Sequence, residues 1–288
     1  MNYNGFPGNL TYDSRGRLSR IQFSGSGAVF YSYDYAYDNF GNRIKKSYVG
    51  GSTVENYSWT RGRLLSGITD YSGGTIGSYT YNADGIRYSK TVGGVTTTYY
   101  YDGSMLLGED RSDGKKLRYC YDREGLCGFR YYNGSQWKSY TYVKNIQGDI
   151  VLIKDEMGVP RVKYSYDPWG NVTAESLNLD GGATNPEEAE LATLNPFRYR
   201  GYYFDEESKL YYLITRYYDP WCGQFISPDS FSYLDPETIG GINLYAYCNY
   251  NPIMYVDPRG QAFFVFFCWC ISRFRFVIYG FSRNSSCF

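Results

Sequence analysis

The 288-residue chain contains no histidine. That absence excludes a Ser-His-Asp triad, a Cys-His dyad and a His-ligated metal site, so any acid–base chemistry falls to Asp, Glu, Lys, Tyr or Cys. Net charge is lacking as well. Lys plus Arg and Asp plus Glu number 29 each, and such a balance gives no electrostatic case for nucleic acid or an anionic membrane. The balance is uneven: residues 261–288 hold three arginines and no acid, leaving residues 1–260 with 26 basic and 29 acidic groups, a net of −3. The seven cysteines (Cys120, Cys127, Cys222, Cys248, Cys268, Cys270 and Cys287) are odd in number, form no CxxC and keep no regular spacing. Neither a disulfide framework nor a zinc site is expected, and no cofactor is implied. The opening MNYNGFPGNL has no basic region and no apolar run, so it is not a secretory signal peptide. The chain stays inside, leaves by another route, or is a piece of something longer.

What is present is aromatic. Tyr accounts for 36 residues, Phe for 17 and Trp for 5, beside 33 glycines. Tyr and Phe favour strands and Gly supplies turns, which points to an all-β protein. The tyrosines follow a repeat: Tyr-Asp or Tyr-Asn, two variable residues, Gly, then a residue or two before an apolar or basic one. Copies stand at Tyr12-Asp13, Tyr37-Asp38, Tyr81-Asn82, Tyr121-Asp122 and Tyr166-Asp167, with degenerate ones at Trp59-Thr60, Tyr101-Asp102 and Lys144-Asn145. The interval is 20 to 25 residues. Asp followed three residues later by Gly is a turn signature, because the carboxylate accepts backbone N–H groups ahead of it and Gly accepts positive φ. The flanks alternate as half-buried strands do. Each unit therefore reads as two antiparallel strands and a turn, and the units must stack side by side to be stable. Regularly spaced aromatics are more often structural, but a carbohydrate- or contact-binding face on a cell surface is the alternative use of such a sheet. One segment breaks the β pattern. Asn185 as cap, Pro186 at the first helical position, acids in the first turn and Asn195-Pro196 at the end predict a short helix near 186–194.

From Asn195 to Gly260 the chain carries a series of ordered motifs: Arg198-Tyr199-Arg200-Gly201, Arg216-Tyr217-Tyr218-Asp219-Pro220, Gly223-Gln224-Phe225-Ile226-Ser227-Pro228-Asp229, Asn243-Leu244-Tyr245-Ala246-Tyr247 and Asp257-Pro258-Arg259-Gly260. With them the chain resembles the RHS/YD-repeat family over roughly residues 12–260, most closely its wall-associated, polymorphic-toxin type. The resemblance implies YD-repeat hairpins over 1–142, the last repeats and the RHS repeat-associated core block over 143–260, and a variable tail over 261–288. It implies a sheet that spirals into a shell around a toxin segment, extracellular or at the cell surface in the full-length form. A chain this short is expected to form a curved, incomplete spiral. The open strand edges would invite self-association, and the inside partner would be the chain's own tail or a toxin segment of a longer form.

In many family members two aspartates of the block, each opening an Asp-Pro-x-Gly turn and held at a set spacing, cut the chain just past the block. Here Asp235 precedes Asp257 by 22 positions, which matches, although Thr238 stands where the pattern has Gly. Asp229 is the rival partner. Arg216 is suited to hold a carboxylate charged. The candidate catalytic set is thus Asp235, Asp257, Asp229 and Arg216. Asp-Pro-x-Gly is also a good type I turn, which is its structural use.

The tail is different in kind. Residues 261–288 hold 8 of the 17 Phe and 3 of the 7 Cys, and they show no repeat. They are too few for a folded enzyme. The uncharged stretch from Gly260 to Ser272 is 13 residues, where a membrane span needs about 20. The tail could pack as a last strand, plug the sheet, or be a frame-disrupted end; the abrupt change at Gly260 favours the last. The expectation is a structural shell portion of a toxin-delivery protein without a toxin domain, with at most aspartyl self-cleavage as enzymatic activity.

Overall fold

In the computed structural model, which describes residues 2–3, 6–25, 28–177, 186–229, 243–261 and 264–265, the chain is almost entirely β. Sixteen antiparallel strands, from Phe6–Tyr12 to Val172–Ser176, form one sheet that does not close into a barrel. Every strand pairs with the next in sequence, as the stacked-hairpin reading requires. The two-residue strand Asn2–Tyr3 adds to the first of them. The expected helix is present as Pro186–Leu194. Among the described residues no helix is long and apolar enough to cross a membrane.

The repeat shows its physics at the turn after Tyr166. At Asp167 the carboxylate accepts the N–H groups of Trp169 and Asn171, both at 2.9 Å. Gly170 donates back to the Asp167 carbonyl at 3.0 Å and sits at φ +93°, where a side chain would be strained. Just before the motif aromatic the strand register slips by one residue. It does so at Thr11/Tyr12, Ala36/Tyr37, Ser58/Trp59, Thr80/Tyr81, Tyr100/Tyr101 and Cys120/Tyr121. These bulges fall at every second turn, so they lie along one end of the sheet and add twist there.

The motif aromatics then link one unit to the one before it. Tyr37 Oη donates to the Leu18 carbonyl (2.8 Å), Trp59 Nε1 to Arg43 (2.7 Å), Tyr81 Oη to Leu65 (2.8 Å) and Tyr121 Oη to Leu106 (2.7 Å). Each accepting residue is the one paired opposite the preceding motif aromatic: Tyr12, Tyr37, Trp59 and Tyr101. The hydroxyl or indole N–H thus reaches a carbonyl at the irregular end of the neighbouring hairpin. Phe could fill the space but could not make this bond.

One face of the sheet packs on the segment that follows it. Tyr57, Leu65, Ile68, Phe129, Ile153 and Val162 of the sheet share a core with Phe197, Tyr203, Leu210, Tyr212 and Ile226. The segment carries a small four-stranded sheet, Tyr203–Asp205, Leu210–Tyr212, Tyr217–Asp219 and Gln224–Phe225. Sixteen strands laid flat would span roughly 70 Å. Yet this compact block reaches both ends: Gln224 Nε2 lies 3.4 Å from Tyr12 Oη, and Tyr199 Oη donates to the Pro168 carbonyl at 2.8 Å. The sheet therefore curves around the block.

Two buried ion pairs join sheet to block. Arg87, 0% exposed, meets Asp205 at 2.5 Å, and Arg43, also 0% exposed, meets Asp219 at 2.6 Å. Lys90 adds a second bond to Asp205 at 2.8 Å. Burial alone would raise the Asp205 carboxyl, but Arg87 and Lys90 outweigh it and hold it below its ordinary range. The Arg87 guanidinium also lies within 4.9 Å of the ring centres of Tyr99, Tyr203 and Tyr212. Both arginines stand two residues after a turn glycine, at the apolar-or-basic position of the repeat.

Breaking a buried pair leaves a charge without its partner, whereas an exposed pair contributes little. Arg87→Ala is therefore expected to cost about 3–5 kcal/mol in urea denaturation. Arg20→Ala, which breaks the solvent-exposed pair with Asp34, should cost far less than Arg87→Ala. Tyr121→Phe, which removes one inter-unit bond, should cost about 1–2 kcal/mol; no change would mean that the hydroxyl is there only for solubility.

Candidate active site

Arg216 immediately precedes the strand Tyr217–Asp219, whose far end is pinned to Arg43. Its guanidinium is buried and lies over the Phe225 ring, 3.6 Å from the centroid. Four acceptors converge on it. Nη2 is 2.7 Å from Asp229 Oδ2 and 3.7 Å from Asp257 Oδ2. Nη1 donates to the Leu244 carbonyl at 2.9 Å and Nε to the Gly260 carbonyl at 2.5 Å.

Asp229 comes from the end of the Ser-Pro-Asp segment, where its N–H donates to the Leu244 carbonyl at 3.0 Å. Asp257 opens the Asp-Pro-Arg-Gly turn and is 3% exposed. Its N–H donates to Tyr202 Oη at 3.2 Å, and its Oδ1 accepts the N–H of Gln261 at 3.0 Å. The Asp257 turn thus does what an Asp-Pro-x-Gly turn does structurally, and it also carries its carboxylate to Arg216. Gly260 has φ +70°, and a Cβ there would stand 3.1 Å from Thr215 Oγ1 and 3.2 Å from the Leu213 carbonyl. Only glycine brings this peptide so close to the guanidinium.

The result is two carboxylates on one guanidinium, beside the peptide that leaves Gly260. Burial pushes the Asp257 carboxyl up to about 6; the like charge of Asp229 adds to the rise, while Arg216 and the Gln261 N–H oppose it. A carboxyl in that range can hold a proton near neutrality and give it up. Three of the four expected residues, Asp229, Asp257 and Arg216, are therefore together. Asp235 lies outside the described residues. Sequence reading did not single out the Leu244 and Gly260 carbonyls or Thr215, whose Oγ1 donates to the Arg259 carbonyl at 2.8 Å. Backbone acceptors leave no mark in side-chain identity. Among the described residues no cluster of His, Cys, Asp or Glu could hold a metal ion.

A raised Asp pKa has a defined sign in stability. The folded state binds the proton more tightly than the unfolded one between the ordinary value and about 6. The contribution of Asp257 is thus full below pH 4 and is lost as pH rises to 6, a change on the order of 2–3 kcal/mol. Asp257→Asn should show no such loss, so its stability relative to wild type should increase between pH 4 and pH 7 in urea titrations. A constant difference across that range would show that the carboxyl is not perturbed.

No family model matches the chain. It is 37% identical over 230 residues to the tRNA3(Ser)-specific nuclease WapA of Bacillus spizizenii, a match that covers 78% of this chain and 9% of that protein. It is 37% identical over 106 residues to the toxin protein Tse5 of Pseudomonas aeruginosa, covering 37% of this chain and 7% of that one. The fold matches the crystal structure of TcdB2-TccC3 without its hypervariable C-terminal region, with a TM-score of 0.60, 21% identity, and coverage of 89% of this chain and 13% of that one. The chain spans about a tenth of the length of these curated relatives. The sequence similarities relate the chain to toxin proteins of the RHS type.

Proposed function

We propose that this chain is the closing portion of a toxin-associated β-shell and that it cuts itself at the end of its block. The observation that carries the reading is the Asp229–Arg216–Asp257 cluster against the Gly260–Gln261 peptide. The sheet and block supply the scaffold. The relatives' names support the toxin association, while the tRNA nuclease activity named for WapA belongs to that protein.

The residues divide the chemistry of hydrolysis between them. Arg216 Nε holds the Gly260 carbonyl oxygen and stabilises the negative charge that develops on it. Asp229, paired with Arg216, is the carboxylate base that takes a proton from the attacking water. The water oxygen bonds to the Gly260 carbon. In the resting fold Asp257 Oδ1 accepts the Gln261 N–H at 3.0 Å. Once water has added and freed the nitrogen lone pair, Asp257, protonated below about pH 6, gives its proton to that nitrogen. The C–N bond breaks, leaving a carboxylate on Gly260 and an amine on Gln261. The shell keeps its position because none of the groups that pin the block to the sheet takes part.

The test is intact mass under denaturing conditions, followed over time after purification. Wild type should lose residues 261–288, fastest at about pH 5 and roughly tenfold more slowly per pH unit above 6. Asp257→Asn and Asp229→Asn should retain full length, with rates down at least about 100-fold. Asp235→Asn should process like wild type. Persistence of the intact mass at pH 5 for days would end the self-cleavage reading. Cleavage that depends on Asp235 and not on Asp229 would replace the pair proposed here. Loss of one residue fewer would move the cut to the next peptide and remove the Gln261 nitrogen as leaving group.

A further inference from the structure

Away from the block, the hairpin of strands Lys116–Asp122 and Gly125–Tyr132 places two thiols together. Along these strands Leu117, Tyr119, Tyr121, Leu126, Phe129 and Tyr131 point into the core shared with the block. Cys120 and Cys127 therefore point to the other face. Cys120 pairs opposite Gly128 and Tyr121 opposite Leu126, so Cys127 is the extra residue of the bulge, set between the partners of Cys120 and Tyr121. A bulge sets two residues of one strand against one of its partner, so Cys127 stands with Gly128 opposite Cys120, the placement a cross-strand disulfide needs. The Cys127 thiol lies 3.3 Å from the carbonyl of Cys120 itself. Gly128 makes the arrangement possible: a Cβ there would stand 2.3 Å from the Tyr140 carbonyl. Both thiols are free and half-buried, whereas Cys222 and Cys248 are 2% and 1% exposed.

We propose that Cys120 and Cys127 are a cross-strand disulfide site on the outer face of the sheet, oxidised by exchange with a small-molecule disulfide such as oxidised glutathione. An odd cysteine count weighs against a framework of several bridges and not against a single local pair. One thiolate attacks a sulfur of oxidised glutathione and releases one glutathione thiolate. The second protein thiolate attacks the resulting mixed disulfide and releases the other. The two protein thiols lose two protons and two electrons; glutathione leaves as two thiols. The bond would lock the bulged end of one hairpin in an oxidising compartment and leave it open in a reducing one. Burial, with the charges of Asp122 and Cys120, raises the Cys127 thiol above its ordinary value, so exchange quickens as pH rises.

The experiment uses the full chain, incubated with excess oxidised glutathione at about pH 8.5, quenched in acid and digested with trypsin without reduction. Arg123 lies between the two cysteines, so the bond would hold together two peptides, 119–123 and 124–130, whose joint mass is lower by two hydrogens. That linked pair is the expected product. In Cys120→Ser it should vanish, and Cys127 should carry glutathione instead. If both wild-type peptides are found separate, each with its own glutathione or with a free thiol, the proposal is overturned. Linkage of either cysteine to a tail cysteine would overturn it equally. None of these outcomes depends on self-cleavage at Gly260.

Discussion

Arg43 and Arg87 are charged side chains on the inner face of a β-sheet, with no exposure to water. A buried guanidinium is tolerable only if a carboxylate meets it. The block answers with Asp219 and Asp205. Because the two pairs sit on different hairpins of the sheet and different strands of the block, they set how the block is seated. Apolar contacts could slide by a residue at small cost. A displaced ion pair in this interior could not.

The seating has a direct consequence for chemistry. The strand that ends in Asp219 begins beside Arg216. The guanidinium that gathers Asp229, Asp257 and the Gly260 carbonyl is thus placed by an anchor three residues away. The aspartates themselves come from two loops on either side of the Asn243–Tyr247 segment, whose Leu244 carbonyl accepts from both Arg216 and Asp229. The cluster holds the Gly260–Gln261 peptide as part of the fold. It has the crowding of a packed turn and the raised Asp257 carboxyl that such crowding produces.

Curvature is the other requirement, and it is written into the repeat. Bulges stand at turns of one end of the sheet and, at the opposite end, precede Tyr12, Tyr37, Trp59, Tyr81, Tyr101 and Tyr121, so both ends gain twist. The aromatic of the next unit then donates to the carbonyl at that irregular position. An aromatic donor at one position thus satisfies a backbone acceptor and fixes the spacing between hairpins. That Trp59 does the same with its indole N–H shows that the donor, rather than the ring, is what the position needs.

The strand order, the turns and the helix Pro186–Leu194 were legible in the sequence, because period-two alternation, Asp-x-x-Gly turns and helix caps are local rules. The candidate-site residues came from the family resemblance, because the missing histidine by itself leaves Asp, Glu, Lys, Tyr and Cys all open. Which aspartate meets Asp257 was not legible. Spacing pointed to Asp235, which lies outside the described residues, with Asp229 as its rival; the fold brings Asp229 to Arg216. The pairing of Arg43 with Asp219 across 176 positions, and of Cys120 with Cys127 through a bulge, was equally hidden. Local sequence determines what the backbone does over a few residues, since those energies depend on neighbours in the chain. Which distant groups meet depends on how the whole sheet curves, and that is decided by tertiary packing alone.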